Sequence, residues 1–262
     1  VYKRQDYNIR TRQACNMIYE NDNFRKISQK NPDYKALKEE EYTKLINTDS
    51  LNKENIRIYS PKFFEIMKNM NKFMDENDNP TGKILFYSEF RRDAGSEIFE
   101  KILMANGYSK YSPDTFDGKK SKRYTFITGQ EKKNERKINR DKYNEDDNIY
   151  GEYIQIMIIS SSGAEGISLF GVRQVHILEP YWNYVRINQV FGRAIRLRSH
   201  IKLPKDKQNV EQYLYLSIFP KGTNILSVYK NLLELDTWPN IPNLPDVNDS
   251  DIPVSYTHLT LP

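Results

Sequence analysis

The sequence predicts an α/β fold: a parallel sheet covered by helices, preceded by a mostly helical N-terminal extension. Three observations carry this expectation. From Ile84 onward, short apolar runs alternate with stretches of helical period. The run Ile154–Ile159 (IQIMII) is continuous and β-branched, as a strand covered on both faces should be. Turns rich in Ser and Gly follow such runs, where a strand hands over to a helix.

Taken in order, residues 6–59 are polar and rich in Asn, Lys and Glu, with a charged stretch from Lys35 to Lys44, and read as helical pieces and loops. Ser60-Pro61 supplies an N-cap and a first-turn proline for a helix that carries Phe63, Met67, Met70 and Met74 on one face. That helix should stop in the turn-forming cluster Asp75–Pro80. Strands are expected at Ile84–Tyr87, Tyr124–Thr128, Ile154–Ile159, Gln174–Leu178 and Tyr213–Phe219. Helices are expected around Ile98–Leu103, ended by Gly107, and over Val185–Leu197. The hydrophilic stretch Gly129–Asn148 reads as helix plus solvated insertion. One domain therefore covers 60–238, and the Pro-rich, acidic stretch 239–253 reads as a linker.

Both ends stand apart. Val1–Gln5 and Val254–Pro262 back-translate to the two orientations of one sequencing adapter, so 1–5 and 254–262 are read as adapter-derived and the remainder as an internal metagenomic fragment. The single cysteine, Cys15, excludes an internal disulfide framework and a Cys-based zinc site, and suits a reducing compartment. With only His176 and His200 left between the ends, no metal site is expected. No apolar run reaches the roughly twenty residues that a bilayer span needs, so no membrane partner is expected. A formal charge of +5 suits a polyanion without demanding one.

The strongest chemical signal is Gln189-Val190-Phe191-Gly192-Arg193-Ala194-Ile195-Arg196. On one helix, Gln189, Arg193 and Arg196 sit at i, i+4 and i+7, presenting an amide and two guanidiniums to one point, while Gly192 lets a backbone or phosphate come close. Arginine forks grip phosphate oxygens in pairs, and an amide can orient an attacking water. A solvated basic helix face is the competing account. The second signal, Ser160–Leu169 (SSSGAEGISL), follows the best strand, where α/β proteins bind ligands, and its small residues leave N–H groups free to face phosphate. An ordinary strand-to-helix turn has the same composition.

In chain order, Ile84–Ser88, Tyr124–Gly129, SSSGAEGISL and QVFGRAIR resemble motifs IV, IVa, V and VI of superfamily 2 helicases. The longer phrases YSPKFFEIM, GKILFYSEFR, ANGY and HILEPYWNYVRINQVFGRAIR are similar to the Swi/Snf-type helicases of nucleocytoplasmic large DNA viruses, the group that includes poxvirus early transcription and nucleoside triphosphatase factors. The resemblance spans Ser60 to Pro220. It implies a RecA-like C-terminal lobe of an ATP-dependent DNA or RNA helicase or translocase, with ATP and Mg²⁺ bound mainly by an N-terminal lobe missing from this chain. It further implies a role in viral transcription machinery. Arg193 and Arg196 match the motif VI arginines that reach the γ-phosphate, and Gln189 matches the leading glutamine. Gly163 and Gly166 match the motif V glycines and join Gly192 on the ATP side. Thr128, Ser161 and Ser162 fall where motifs IVa and V touch the sugar-phosphate backbone. Ser168 stands where Swi/Snf motif V usually has Asn, and the motif V Asp of the DEAD-box group has no counterpart.

Gly82-Lys83-Ile84 and Gly118-Lys119-Lys120 lack the Ser/Thr and upstream Gly of a phosphate-binding loop, so the chain alone is expected not to hydrolyse ATP. Two rival readings remain at this point. One is a non-catalytic nucleic-acid-binding module with a degenerate nucleotide site. The other is a methyltransferase of Rossmann type, which leaves the arginine pair unexplained.

Overall fold

A computed structural model describes residues 9–19, 31–92, 94–161, 163, 166–181 and 184–217. Every element below belongs to the unit that ends at Leu216. Helices α1 (Ile9–Ala14), α2 (Tyr34–Asn47), α3 (Ile56–Tyr59) and α4 (Pro61–Met70) precede strand β1 (Lys83–Tyr87). There follow α5 (Ser96–Ala105), β2 (Ser109–Lys110), β3 (Arg123–Ile127), α6 (Lys133–Asn144), β4 (Ile156–Ile159), β5 (Val172–Ile177), α7 (Tyr184–Ala194) and β6 (Glu211–Leu214).

The sheet runs β2-β3-β4-β1-β5-β6 and every pairing is parallel. Strand alternation sends Ile84, Phe86, Ile156 and Ile158 into one core with Phe63, Ile66 and Met70 of α4 and Ile98, Phe99 and Ile102 of α5. Leu85, Met157, Ile159, Val175 and Ile177 face the other core, closed by Tyr143 of α6 and by Ile187, Val190, Phe191 and Ala194 of α7. Each such side chain removed from water contributes about 1.5–3 kcal/mol. Two covered faces explain the unbroken apolar run in β4.

The signals that start α4 act as expected, but the helix ends at Met70, short of Met74 and of the Asp75–Pro80 cluster, and a 3-10 turn over Asn71–Phe73 follows. The Ser60 side chain accepts from Phe63 N at 3.0 Å, and Pro61 opens α4. Asp75 closes its turn by accepting from the backbone N–H of Asn77 and Asn79, each at 2.8 Å. Lys83 opens a strand instead of following one, and its Nζ donates to the Tyr143 carbonyl at 2.8 Å.

Three boundaries need correction. The division at residue 60 separates nothing in the packing, because Met17, Tyr42, Leu51 and Ile56 share the core of Phe63 and Phe86. Asn16 ties this segment to the sheet: its Nδ2 donates to Glu179 Oε1 at 2.7 Å, and Lys62 Nζ donates to its Oδ1 at 3.0 Å. The stretch 129–148 is not a solvated insertion throughout, since Tyr143 is fully buried and donates its hydroxyl to the Ile84 carbonyl. Strand β6 ends at Leu214; the linker 239–253 and both adapter-like ends lie outside the described residues.

His176 is buried, hydrogen-bonded to Tyr215 Oη at 2.8 Å and Gln174 Oε1 at 3.1 Å, with its ring stacked on Tyr213. Burial pulls its pKa down to about 3. At the sheet's carboxyl edge, a Cβ on Gly163 would lie 1.7 Å from the carbonyl oxygen of Ile127, so only glycine lets the loop after β4 cross the end of β3.

Three outcomes follow. Because the unfolded chain binds a proton at His176 near pH 6.5 and the folded chain does not until about pH 3, stability falls as pH drops through this window. Urea unfolding of His176→Phe should therefore show a pH slope shallower than the parent's by about 1.4 kcal/mol per unit between pH 6 and 4. Gly163→Ala should cost at least about 2 kcal/mol in the same assay. At Gly192 a new Cβ meets no described atom within 4 Å, and alanine should stabilise by up to about 1 kcal/mol.

Candidate nucleotide and nucleic-acid site

Helix α7 buries Ile187, Val190, Phe191 and Ala194 against the sheet, which leaves Gln189, Gly192 and Arg193 on its outer side. The helix stops at Ala194, three residues short of the expected end, so Arg196 is not a third rung on that face. It folds back instead: Nε donates to the Gly192 carbonyl at 3.2 Å, and Nη1 donates to Ser168 Oγ. Gln189 and Arg193 lie one turn apart as their spacing requires.

Arg193 has no ion pair or hydrogen-bond partner for its side chain among the described residues, and its Nε is buried without an acceptor. A buried N–H on a charged group left in this way costs free energy that an arriving anion would recover. Arg173, by contrast, is satisfied by Asn209, and Arg123 by Asp117. Neither motif VI arginine pairs with a carboxylate among the described residues, so both keep donors for an outside acceptor.

The Ser/Gly segment meets this helix at its far end. Leu169 N donates to the Arg193 carbonyl at 3.1 Å, and Gly171 N donates to the Ser199 carbonyl at 2.8 Å. His200 locks the same junction, reaching Val172 O at 2.6 Å and Ser199 Oγ at 2.8 Å. Gly163 corrects a second expectation. Its N–H donates to the Ser160 carbonyl at 3.1 Å and the residue is buried, so its smallness serves packing and offers phosphate no free donor. Gly166 is exposed at φ 71°, a left-handed turn with open space beside it.

Thr128 ends β3 beside Gly163, as a nucleic-acid contact on the sheet edge would require. Its donors are already engaged, however: N–H and hydroxyl both reach the Glu131 carboxylate, at 2.6 and 2.8 Å. The T-x-x-E spacing of a capping box was the available signal for this pairing. Ser161 is half-buried on the neighbouring turn; Ser162 and Trp182 lie outside the described residues. Next along the edge, Glu179 is buried and accepts from Ser88 Oγ at 2.8 Å and from Glu89 N at 2.8 Å. Burial pushes its carboxyl up to about 7. Sequence reading missed Glu131, whose local signal was present, and Glu179 and Asn144, whose partners are set by the fold. Among the described residues no group of acidic, His and Cys side chains could hold a metal ion.

Over 212 residues the chain is 32% identical to a protein of Acanthamoeba polyphaga mimivirus named as an ATP-dependent RNA helicase, R563, covering 81% of this chain and 33% of the relative. Over 191 residues it is 33% identical to the "Termination factor NPH-I homolog" of African swine fever virus, covering 61% of this chain and 26% of the relative. The chain thus spans about a third and about a quarter of these curated relatives. Among solved structures, the C-terminal part of the Fun30 ATPase domain superposes with a TM-score of 0.41 at 21% identity, covering 64% of this chain and 51% of that one. Residues 65–198, just over half of the chain, match the family model described as "Helicase conserved C-terminal domain". The chain belongs to that family.

Proposed function

We propose that this chain is the C-terminal lobe of an ATP-dependent nucleic-acid helicase or translocase, and that Arg193 and Arg196 complete an ATP site whose other wall is an N-terminal lobe. One observation carries the proposal: an arginine whose Nε is buried and unpartnered stands beside open space at Gly192, one turn after an exposed glutamine. A guanidinium fork fits a phosphate there, and nothing else among the described residues neutralises it.

Bound ATP with Mg²⁺ supplies the phosphoryl group and the metal charge that the described residues lack. Arg193 and Arg196 then stabilise negative charge on the transferring group, and Gln189 orients the attacking water. Arginines in this role are worth ~10³ to 10⁵ in rate, or roughly 4 to 7 kcal/mol of barrier. The loops at the carboxyl ends of β3 and β4 hold the sugar-phosphate backbone, with Thr128 freed when a phosphate displaces Glu131. Backbone contacts of this kind give little sequence preference and a steep salt dependence. The names of the mimivirus and African swine fever virus relatives support an RNA or transcription setting in a viral system.

Steady-state ATPase assays on the chain joined to its N-terminal lobe test this. Arg193→Ala should lower kcat by about 10³ with the fold intact; unchanged turnover would make the lobe a non-catalytic binding module. Gly192→Ala should lower turnover while raising the melting temperature, because its open space is kept for an approaching surface. Glu131→Gln should tighten single-strand binding by about threefold in a fluorescence titration, by removing a charge from the phosphate path. The isolated chain should show no turnover.

A further inference from the structure

The contact between Ser168 and Arg196 joins the two motifs, and the backbone that carries Ser168 is fixed from a third element. Asn144, the last residue of α6, uses both ends of its amide: Nδ2 donates to the Ser168 carbonyl at 2.9 Å, and Oδ1 accepts from Phe170 N at 3.0 Å. Leu169, between them, is buried and bonded to the Arg193 carbonyl. The three residues 168–170 are therefore pinned from α6 on one side and from the last turn of α7 on the other.

Asn144 is itself held firmly. The preceding Tyr143 is fully buried, its hydroxyl reaches the Ile84 carbonyl at 3.1 Å, and its own carbonyl accepts from Lys83 Nζ at 2.8 Å and Asn148 Nδ2 at 3.0 Å. Lys83 and Ile84 belong to β1 in the middle of the sheet, so the end of α6 is tied directly to that strand. The other end of α6 begins just after the Thr128–Glu131 pair at the edge read above as the nucleic-acid side.

We propose that Ser168, braced by Asn144, is a positioning residue that sets the direction of the Arg196 guanidinium. The proposal rests on the reading that Arg196 faces ATP. Without Ser168, an exposed arginine beyond a helix end samples many rotamers. With it, two of the five guanidinium N–H groups are engaged, by Gly192 O and Ser168 Oγ, and three remain for phosphate. A fork aimed in advance loses less freedom when the lobes close. The hydroxyl thus does in this chain what its departure from the usual Asn of motif V left unexplained. Helix α6 then links the Thr128 edge to the arginine through a single amide.

The test uses the chain joined to its N-terminal lobe, with saturating single-stranded nucleic acid and kcat and KM for ATP measured separately. Ser168→Ala and Asn144→Ala should each lower kcat about tenfold with KM for ATP unchanged, and Ser168→Thr, which keeps the hydroxyl, should restore turnover. In an Arg196→Ala background neither alanine change should lower kcat further, since the group they aim is gone. A full tenfold loss persisting in that background, or parent-like turnover in Ser168→Ala, overturns the positioning role. If Asn144→Ala unfolds, the Ser168 pair decides alone. Unchanged turnover in Arg196→Ala by itself would instead show that the ATP-facing reading has failed.

Discussion

The site depends on one seam, where residues 169–172 meet the last turn of α7 and the residues just after it. Leu169 N bonds the Arg193 carbonyl, Gly171 N bonds the Ser199 carbonyl, and His200 closes the junction onto Val172 at the start of β5. This seam joins the segment that follows the Ser/Gly turn to the end of the arginine helix. Such coupling suits a protein whose proposed work is to trade nucleotide state for grip on a strand.

Behind the seam, the sheet spends its buried polar groups on anchoring. Glu179, Lys62, Asn16 and Ser88 form a closed set between the ends of β1 and β5 and the N-terminal segment. Burial drives the Glu179 carboxyl up to about 7 and the Lys62 amine downward, the direction expected when charge is withdrawn from water. Lys83, brought down to about 7 by the same cause, fixes α6 to β1. Buried groups that satisfy one another specify a single arrangement, whereas the unsatisfied Nε of Arg193 marks a place where the arrangement is incomplete.

Much of the fold was legible because its signals are local. Ser60-Pro61 starts a helix by capping chemistry, IQIMII reads as a covered strand by composition, and Gly107 ends α5 at φ 82°. The parallel order followed from strands separated by helices. What failed to show were positions where local character misleads. Residues 6–59 are polar by composition and read as helical pieces and loops, yet Met17, Tyr42, Leu51 and Ile56 fill the core, since a few apolar side chains suffice to bury a polar helix edge. The expected arginine ladder broke because α7 ends at Ala194, a boundary set by the seam rather than by any stop residue.

The sequence by itself determined which chemistry is present: the Gln189, Arg193 and Arg196 set, the Ser/Gly loop, and the absence of a phosphate-binding loop of its own. Residue type and spacing along one helix or turn suffice for that, because the interactions are short in sequence. Tertiary structure alone decided which of those groups are available. It set Gly163 against Ile127 and placed Asn144 against Ser168, 24 residues away in sequence. Contacts of that kind are selected by how sheet and helices pack, and no local pattern encodes them.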